Sequence, residues 1–278
     1  MTPDSPSQDD ATVDFYASPP GGFTAHDATA PVPLPGTVHH VTFTVRNTDT
    51  EVAPGVKQTL WTYSSDEGPG QMPGPTLRGK VGDTFVVHLV NDGDIGHSVD
   101  FHAGALAPDG PMRTIDAGES LDYTFTATKA GIWMYHCSTM PMSHHIANGM
   151  FGAVIIDPPE LAPVDEEYVL VASELYLGAQ DGVADMDKIN AKRPDAYVFN
   201  GYVNQYDADP LTARVGDRVR IWVLDAGPNE PLSFHVVGAQ FDTVFAEGGY
   251  LLRPGNAESG GSQTLALSAA QGGFVEMT

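Results

Sequence analysis

Period-2 alternation of apolar and polar residues is the dominant pattern of the chain after a polar start. His40-Val41-Thr42-Phe43-Thr44-Val45 places Val41, Phe43 and Val45 on one face, as a half-buried strand requires. Strands are likewise predicted over 85–90, 121–125, 132–137 and 153–156, separated by turns rich in Gly, Asp and Pro. Residues 1–30, rich in Pro, Asp and Ser, read as a flexible tail, and Pro158-Pro159 closes the first block of strands.

The block then recurs. Residues 78–93, RGKVGDTFVVHLVNDG, align with residues 212–227, TARVGDRVRIWVLDAG, at an offset of 134. Phe101-His102 finds its counterpart in Phe234-His235 shortly afterwards. Two copies of one β-sandwich is the economical architecture, with an all-β fold as the class. The expected layout is a tail over 1–30, a first domain over 31–158, a linker over 159–195 and a second domain over 196–278. The linker is expected to hold a short helix near 185–192. The terminal strand 273–278 best matches 121–126, so the second copy is expected to lack a counterpart of 131–156 and the chain is expected to be C-terminally truncated.

Composition narrows the function. With 13 Lys and Arg against 36 Asp and Glu, the formal charge is −23, which argues against nucleic acid and anionic membrane as partners. No apolar run approaches the length of a membrane span, and the N-terminus shows no secretory signal. The single cysteine forbids an intramolecular disulfide.

That cysteine lies in the segment richest in chemistry. His136-Cys137 is followed by His144, His145 and Met150, and His97 lies upstream. A thiolate, two imidazoles and a weak thioether form the donor set of a blue, type 1 copper centre. The spacing Cys-x7-His-x4-Met puts Cys137, His145 and Met150 on one connection between strands, and His97 completes the set. Met140 or Met142 could replace Met150, and His144 could replace His145; these are read as loop or packing residues.

Strand parity suggests a second centre. Adjacent residues of a strand face opposite ways, so His136 and Cys137 do not serve the same metal. His97 and His102, five apart in an extended segment, also face opposite ways. If Cys137 and His97 share one side, His136 and His102 share the other, with Asp100 beside them. The bland alternative makes His102 and His136 hydrogen-bonded core residues. His26, His39, His40 and His88 have no spaced partner and read as surface or packing residues.

These motifs resemble the copper-containing nitrite reductases, in particular the Neisseria-type class. The resemblance runs from about residue 35 and includes HSVDFHAG (97–104), YHC (135–137), HIANGM (145–150), MDK (186–188) and SFHVVG (233–238). It implies two tandem cupredoxin-like Greek-key sandwiches and copper as cofactor, with His97, Cys137, His145 and Met150 at type 1 copper. It also implies His102 and His136 as two of three type 2 ligands, the third lying beyond this chain. Asp100 and His235 match the acid–base pair at the nitrite site, and Val237 the apolar residue capping the substrate. The implied activity is reduction of nitrite to nitric oxide, with the electron entering at type 1 copper and passing through Cys137-His136 to type 2 copper.

The resemblance further implies a homotrimer with sites shared between subunits, a cytochrome c or small cupredoxin as donor, and a periplasmic or extracellular location. With two type 2 ligands, this polypeptide is expected to show the blue absorption but little nitrite turnover. The rival readings are a laccase-like multicopper oxidase and an electron-transfer cupredoxin without a working type 2 site. The oxidase needs a trinuclear centre built largely from His-x-His pairs, and the sequence has none.

Overall fold

Four layers of β-structure stack through three apolar cores in a computed structural model that describes residues 10–65, 68–255 and 260–278. The strands are β1 (Val38–Ala53), β2 (Val56–Ser64), β3 (Leu77–Lys80), β4 (Thr84–Asn91), β5 (Asp100–Phe101), β6 (Ser120–Thr126), β7 (Gly131–His136) and β8 (Phe151–Asp157). They continue as β9 (Glu166–Leu175), β10 (Ala196–Phe199), β11 (Val219–Asp225), β12 (Leu232–Phe234), β13 (Thr243–Ala246), β14 (Gly249–Leu252), β15 (Leu265–Leu267) and β16 (Gly272–Met277). Short helices are α1 (Met142–Ala147), α2 (Met186–Asn190) and α3 (Gln205–Ala208). Among the described residues no helix is long and apolar enough to cross a membrane.

Sheet order β2-β1-β4-β6 faces sheet order β3-β8-β7-β5. Between them lies an aromatic core that includes Phe43, Phe85, Tyr123 and Phe125 from the first sheet and Phe101, Tyr135 and Val154 from the second. In β4 only Phe85, Val87 and Leu89 enter this core, which explains its clean alternation. The sequence of β8, by contrast, is a continuous apolar run because both its faces are covered. Val154 and Ile156 enter the aromatic core, while Phe151, Ala153 and Ile155 enter the next.

That next core joins the two repeats. Ile132 and Met134 of β7 pack with Val169, Val171, Trp222, Leu224 and Phe274 of the sheet β10-β9-β11-β16-β13-β14. The far face of this sheet packs Leu170, Val223 and Val275 against Phe234, Leu265 and Leu267 of the ladder β12-β15. The internal repeat is visible in the pairing: β1 runs parallel to β4 and β4 antiparallel to β6, just as β9, β11 and β16 pair. Leu89 faces Leu121, and Val223 faces Gly273, so the register agrees with the sequence alignment.

Three expectations change. The segment 159–195, expected as a linker, contains β9, a strand of the large sheet with neighbours on both sides. Its EEYVLVASEL sequence does not alternate because residues 169–175 are buried on both faces. The expected flexible tail is docked over 10–30: Ala28 accepts from the Val169 N–H at 2.7 Å, and the Ala30 N–H donates to Glu167 at 2.9 Å. The remainder of that stretch, 1–9, lies outside the described residues. Finally, β1 runs well past residue 45 through a polar sequence without alternation, held by its hairpin partner β2. The helix expected near 185–192 is α2, capped by Asp185, whose carboxylate accepts from the Asp187 and Lys188 N–H groups.

Candidate metal centre

Cys137 follows β7 directly and is fully buried. Chain parity in β7 alternates between the cores: Ile132 and Met134 face the joint between repeats, whereas Tyr135 and Cys137 face the aromatic core. His136 therefore points away from the Cys137 side.

On the Cys137 side, His97 and His145 bring their Nδ1 atoms to within 4.0 and 3.3 Å of Sγ, and 3.2 Å of each other. Both rings are buried, and burial holds each imidazole neutral by pushing its pKa down to about 4. A neutral ring keeps a lone pair available to a metal at neutral pH. His145 sits on α1, inside what the sequence suggested was a plain connection. The turn after α1 passes through Gly149 at φ 101°, where an added Cβ would come within 3.3 Å of Met72 Sδ. Beyond it Met150 is fully buried in the core that contains Cys137, and its carbonyl accepts from the Cys137 N–H at 3.1 Å.

The residues offered as substitutes go elsewhere. Met140 and Met142 are exposed, and His144 Nε2 lies 3.0 Å from the Ala184 carbonyl oxygen.

On the other side, Asp100 pairs directly opposite His136 in the β5–β7 ladder and so shares its face. His102 Nε2 and His136 Nε2 are 3.0 Å apart, with Asp100 Oδ2 at 3.9 and 4.0 Å. Burial, followed by the neighbouring His136, lowers the pKa of His102. Parity placed these three groups together, although 97–102 is not one extended strand: it bridges at His97, pairs at Asp100–Phe101 and turns into a 3-10 helix at His102. His235 and Val237 follow β12, are both exposed, and are not among the side chains that gather at either cluster.

Two neighbours escaped sequence reading. Ser98 points its N–H and Oγ at Cys137 Sγ, at 3.4 and 3.6 Å. Trp61, on β2, presents its ring to His97 and His145 with centroids 5.7 and 4.8 Å away. Ser98 adjoins His97 in sequence but carries no spacing signal, and Trp61 reaches the cluster only through the fold.

A family described as multicopper oxidase matches residues 44–161. A solved copper nitrite reductase from Nitrosomonas europaea superposes with a TM-score of 0.74 at 33% identity, covering 86% of this chain and 84% of that one. The chain belongs to the copper-containing nitrite reductase family. The copper-containing nitrite reductase of Neisseria gonorrhoeae is 38% identical over 208 residues, which is 71% of this chain and 52% of that protein. This chain thus spans about half the length of the curated family members it matches. A solved multicopper oxidase, 29% identical with a TM-score of 0.72, covers 90% of this chain and 84% of its own.

The donor sets fit copper. A thiolate with two neutral imidazoles beside a buried thioether suits a soft, redox-active ion, and two imidazoles beside a carboxylate suit a harder, more open seat.

Proposed function

We propose that the chain carries the two copper seats of an enzyme that reduces nitrite to nitric oxide. The observation that carries this reading is the arrangement of two donor clusters on opposite faces of β7, one ending in Cys137 and the other in its neighbour His136. His97, Cys137, His145 and Met150 would hold type 1 copper; His102 and His136 would hold type 2 copper. Bound there, copper supplies the one-electron redox change and a seat for the anion.

Protons fall to the chain. Converting nitrite to nitric oxide and water consumes one electron and two protons. Asp100, beside the His102–His136 pair, delivers a proton to the departing oxygen. The Tyr123 hydroxyl, 3.4 Å from Asp100 Oδ1, restrains the carboxylate. His235 Nδ1 lies 2.5 Å from the Gln263 carbonyl oxygen, an arrangement that fixes the proton on Nδ1 and leaves Nε2 as an acceptor. His235 and Val237 lie on the surface, free to serve a neighbouring subunit's nitrite site, which agrees with the homotrimer that the family resemblance implies. The partner donor is read as a cytochrome c or small cupredoxin drawn by the acidic surface, in the periplasm or outside the cell.

Copper-loaded protein tests this reading by EPR. The expected result is one thiolate-type signal and one ordinary signal, with nitrite perturbing only the second and His102→Ala removing only the second. A coupled copper pair would instead establish an oxidase, the reading favoured by the multicopper oxidase similarity. A type 1 signal alone would show that His102, His136 and Asp100 do not hold copper by themselves, and would remove the second seat from this chain.

Ser98 gives a separate check. Its donors stabilise the sulfur charge and weaken its donation to copper, which favours the reduced state. Ser98→Ala is expected to lower the type 1 midpoint potential by about 20–60 mV, the equivalent of one hydrogen bond. An unchanged potential would remove Ser98 from that role.

A further inference from the structure

Ser98 has more partners than the sulfur it faces. Its Oγ lies 3.6 Å from Cys137 Sγ, 2.9 Å from Ser138 Oγ and 2.9 Å from Thr139 Oγ1, and it accepts from the Ser138 N–H at 3.1 Å. Thr139 Oγ1 in turn lies 2.9 Å from Thr114 Oγ1. Ser98 is fully buried, Thr139 half-buried and Thr114 exposed, so three hydroxyls in series connect the sulfur to the surface.

The fold holds each member in place. The Tyr63 hydroxyl donates to the Ser98 carbonyl at 2.7 Å from the core side. Thr139 follows Cys137 by two residues. Thr114 is set beside the His97 segment by the paired hydrogen bonds between His97 and Ile115, at 3.1 and 2.8 Å. Its methyl occupies the space over Gly96, where an added Cβ would come within 2.7 Å of Thr114 Cγ2.

Counting protons gives the series a direction. Each hydroxyl has one proton to donate. That of Ser138 goes to the Met112 carbonyl at 3.3 Å, so Ser138 Oγ does not donate to Ser98. The Cys137 thiolate is the one charged acceptor among the partners of the Ser98 hydroxyl, and a charged acceptor makes the stronger bond. With Ser98 donating to sulfur, Thr139 donates to Ser98 and Thr114 to Thr139. Hydrogen bonds aligned in this way polarise one another, so each strengthens the next.

We propose that Thr139 and Thr114 are positioning residues for the Cys137 thiolate, a hydroxyl relay running from the surface to the sulfur. The inference rests on the reading of that cluster as a type 1 copper seat. It involves no proton transfer: the hydroxyl dipoles point towards the sulfur and every proton stays on its oxygen. Acting through Ser98, the relay favours the reduced state. An exposed threonine thus helps to set how readily the seat takes an electron from a donor and how readily it passes one on.

Redox titration of the visible absorption of the copper-loaded protein tests the relay. Thr139→Val keeps the shape of the side chain and removes its hydroxyl. It is expected to weaken the preference for the reduced state about twofold, a fall in midpoint potential of about 18 mV at 59 mV per tenfold. Thr114→Val should shift the potential the same way by less, and Thr139→Ser should restore the wild-type value. In a Ser98→Ala background Thr139→Val should add nothing, because the relay acts only through Ser98. Should Thr139→Val not fold, Thr114→Val, at an exposed position, decides in its place. A rise in potential would show that Ser98 donates to Thr139 rather than to sulfur, and would overturn the proposal. So would an unchanged potential, or an equal fall with and without Ser98. A wild-type protein without the intense visible band would overturn the copper reading, and the relay with it.

Discussion

Copper-loaded Cys137→Ala is expected to lose its intense visible absorption entirely while retaining an ordinary copper signal. The thiolate is the one donor in either cluster whose charge transfer to copper absorbs strongly in the visible, and Cys137 is the only cysteine in the chain. The loss should be local. Removing one sulfur from a fully buried position costs about 1 kcal/mol, well short of unfolding a chain of this size. The Cys137 N–H still donates to Met150, so the backbone around the cluster is kept. His136 faces the other way and keeps its place beside His102 and Asp100. Visible and EPR spectra of the same sample therefore separate the two seats. A blue band that survives the substitution would show that Cys137 is not the copper thiolate. Loss of both copper signals together would show that the two clusters are not independent seats.

The clusters were legible in the sequence because their chemistry is local. Cys137, His145 and Met150 lie within one short segment, and the parity of two adjacent residues suffices to send His136 and Cys137 to different cores. Parity reached the right grouping even where its premise of a continuous strand over 97–102 fails, because the register of Asp100 opposite His136 fixes the face. The start of β1 and strands β4 and β6 were legible because one face of each is wetted, so hydrophobicity alternates, whereas β7 and β8, covered on both faces, were legible as short apolar runs between turns. Legibility failed where two-sided burial lacks such bounds or pairing is the only cause. β9 lies buried in the middle of a sheet and reads as a linker. The far half of β1 is polar and is a strand only because β2 pairs with it. Likewise the docked residues 10–30 are held by partners distant in sequence, among them backbone hydrogen bonds with β9 and Gly178, the His26–Gln205 hydrogen bond and the burial of Ala28, which no composition reveals. Trp61 depends on contacts distant in sequence, beyond the reach of any spacing rule.

The largest expected effect on stability lies at Glu167, on β9. Its carboxylate accepts from Arg78 at 2.9 and 3.0 Å, from Arg220 at 3.0 Å and from the Trp222 indole N–H at 2.8 Å. The Arg78 side chain, on β3 of the first repeat, is 6% exposed, and that of Arg220, on β11 of the second, is 2% exposed. One carboxylate thus bridges two buried guanidinium groups across the joint between the repeats, each of which has a second carboxylate partner in Asp157 or Glu276. Removing one partner of a buried pair leaves an uncompensated charge and costs about 3–5 kcal/mol, far more than the pair's net contribution against an apolar replacement. Asp157 and Glu276 still engage the two arginines, so Glu167→Ala is expected near the lower end of that range. In a chain of this size it should lower Tm by about 6–12 °C.

The exposed pair His88–Asp122 supplies the contrast, since Asp122→Ala should shift Tm hardly at all. The pH dependence has a definite sign. Burial raises the Glu167 pKa, but hydrogen bonds from Arg78 and Trp222 outweigh it and leave the folded value below the ordinary one. A depressed carboxyl contributes stability above its unfolded pKa, about 4.3, and loses it as pH falls through the folded value. Denaturation curves of wild type and Glu167→Gln should therefore lie apart at pH 7 and begin to draw together only below about pH 4, as pH falls towards the folded value. Curves that coincide at pH 7 would show that Glu167 does not hold the two arginines. Curves that stay equally far apart in acid would show that the charge of Glu167 is not what stabilises the joint.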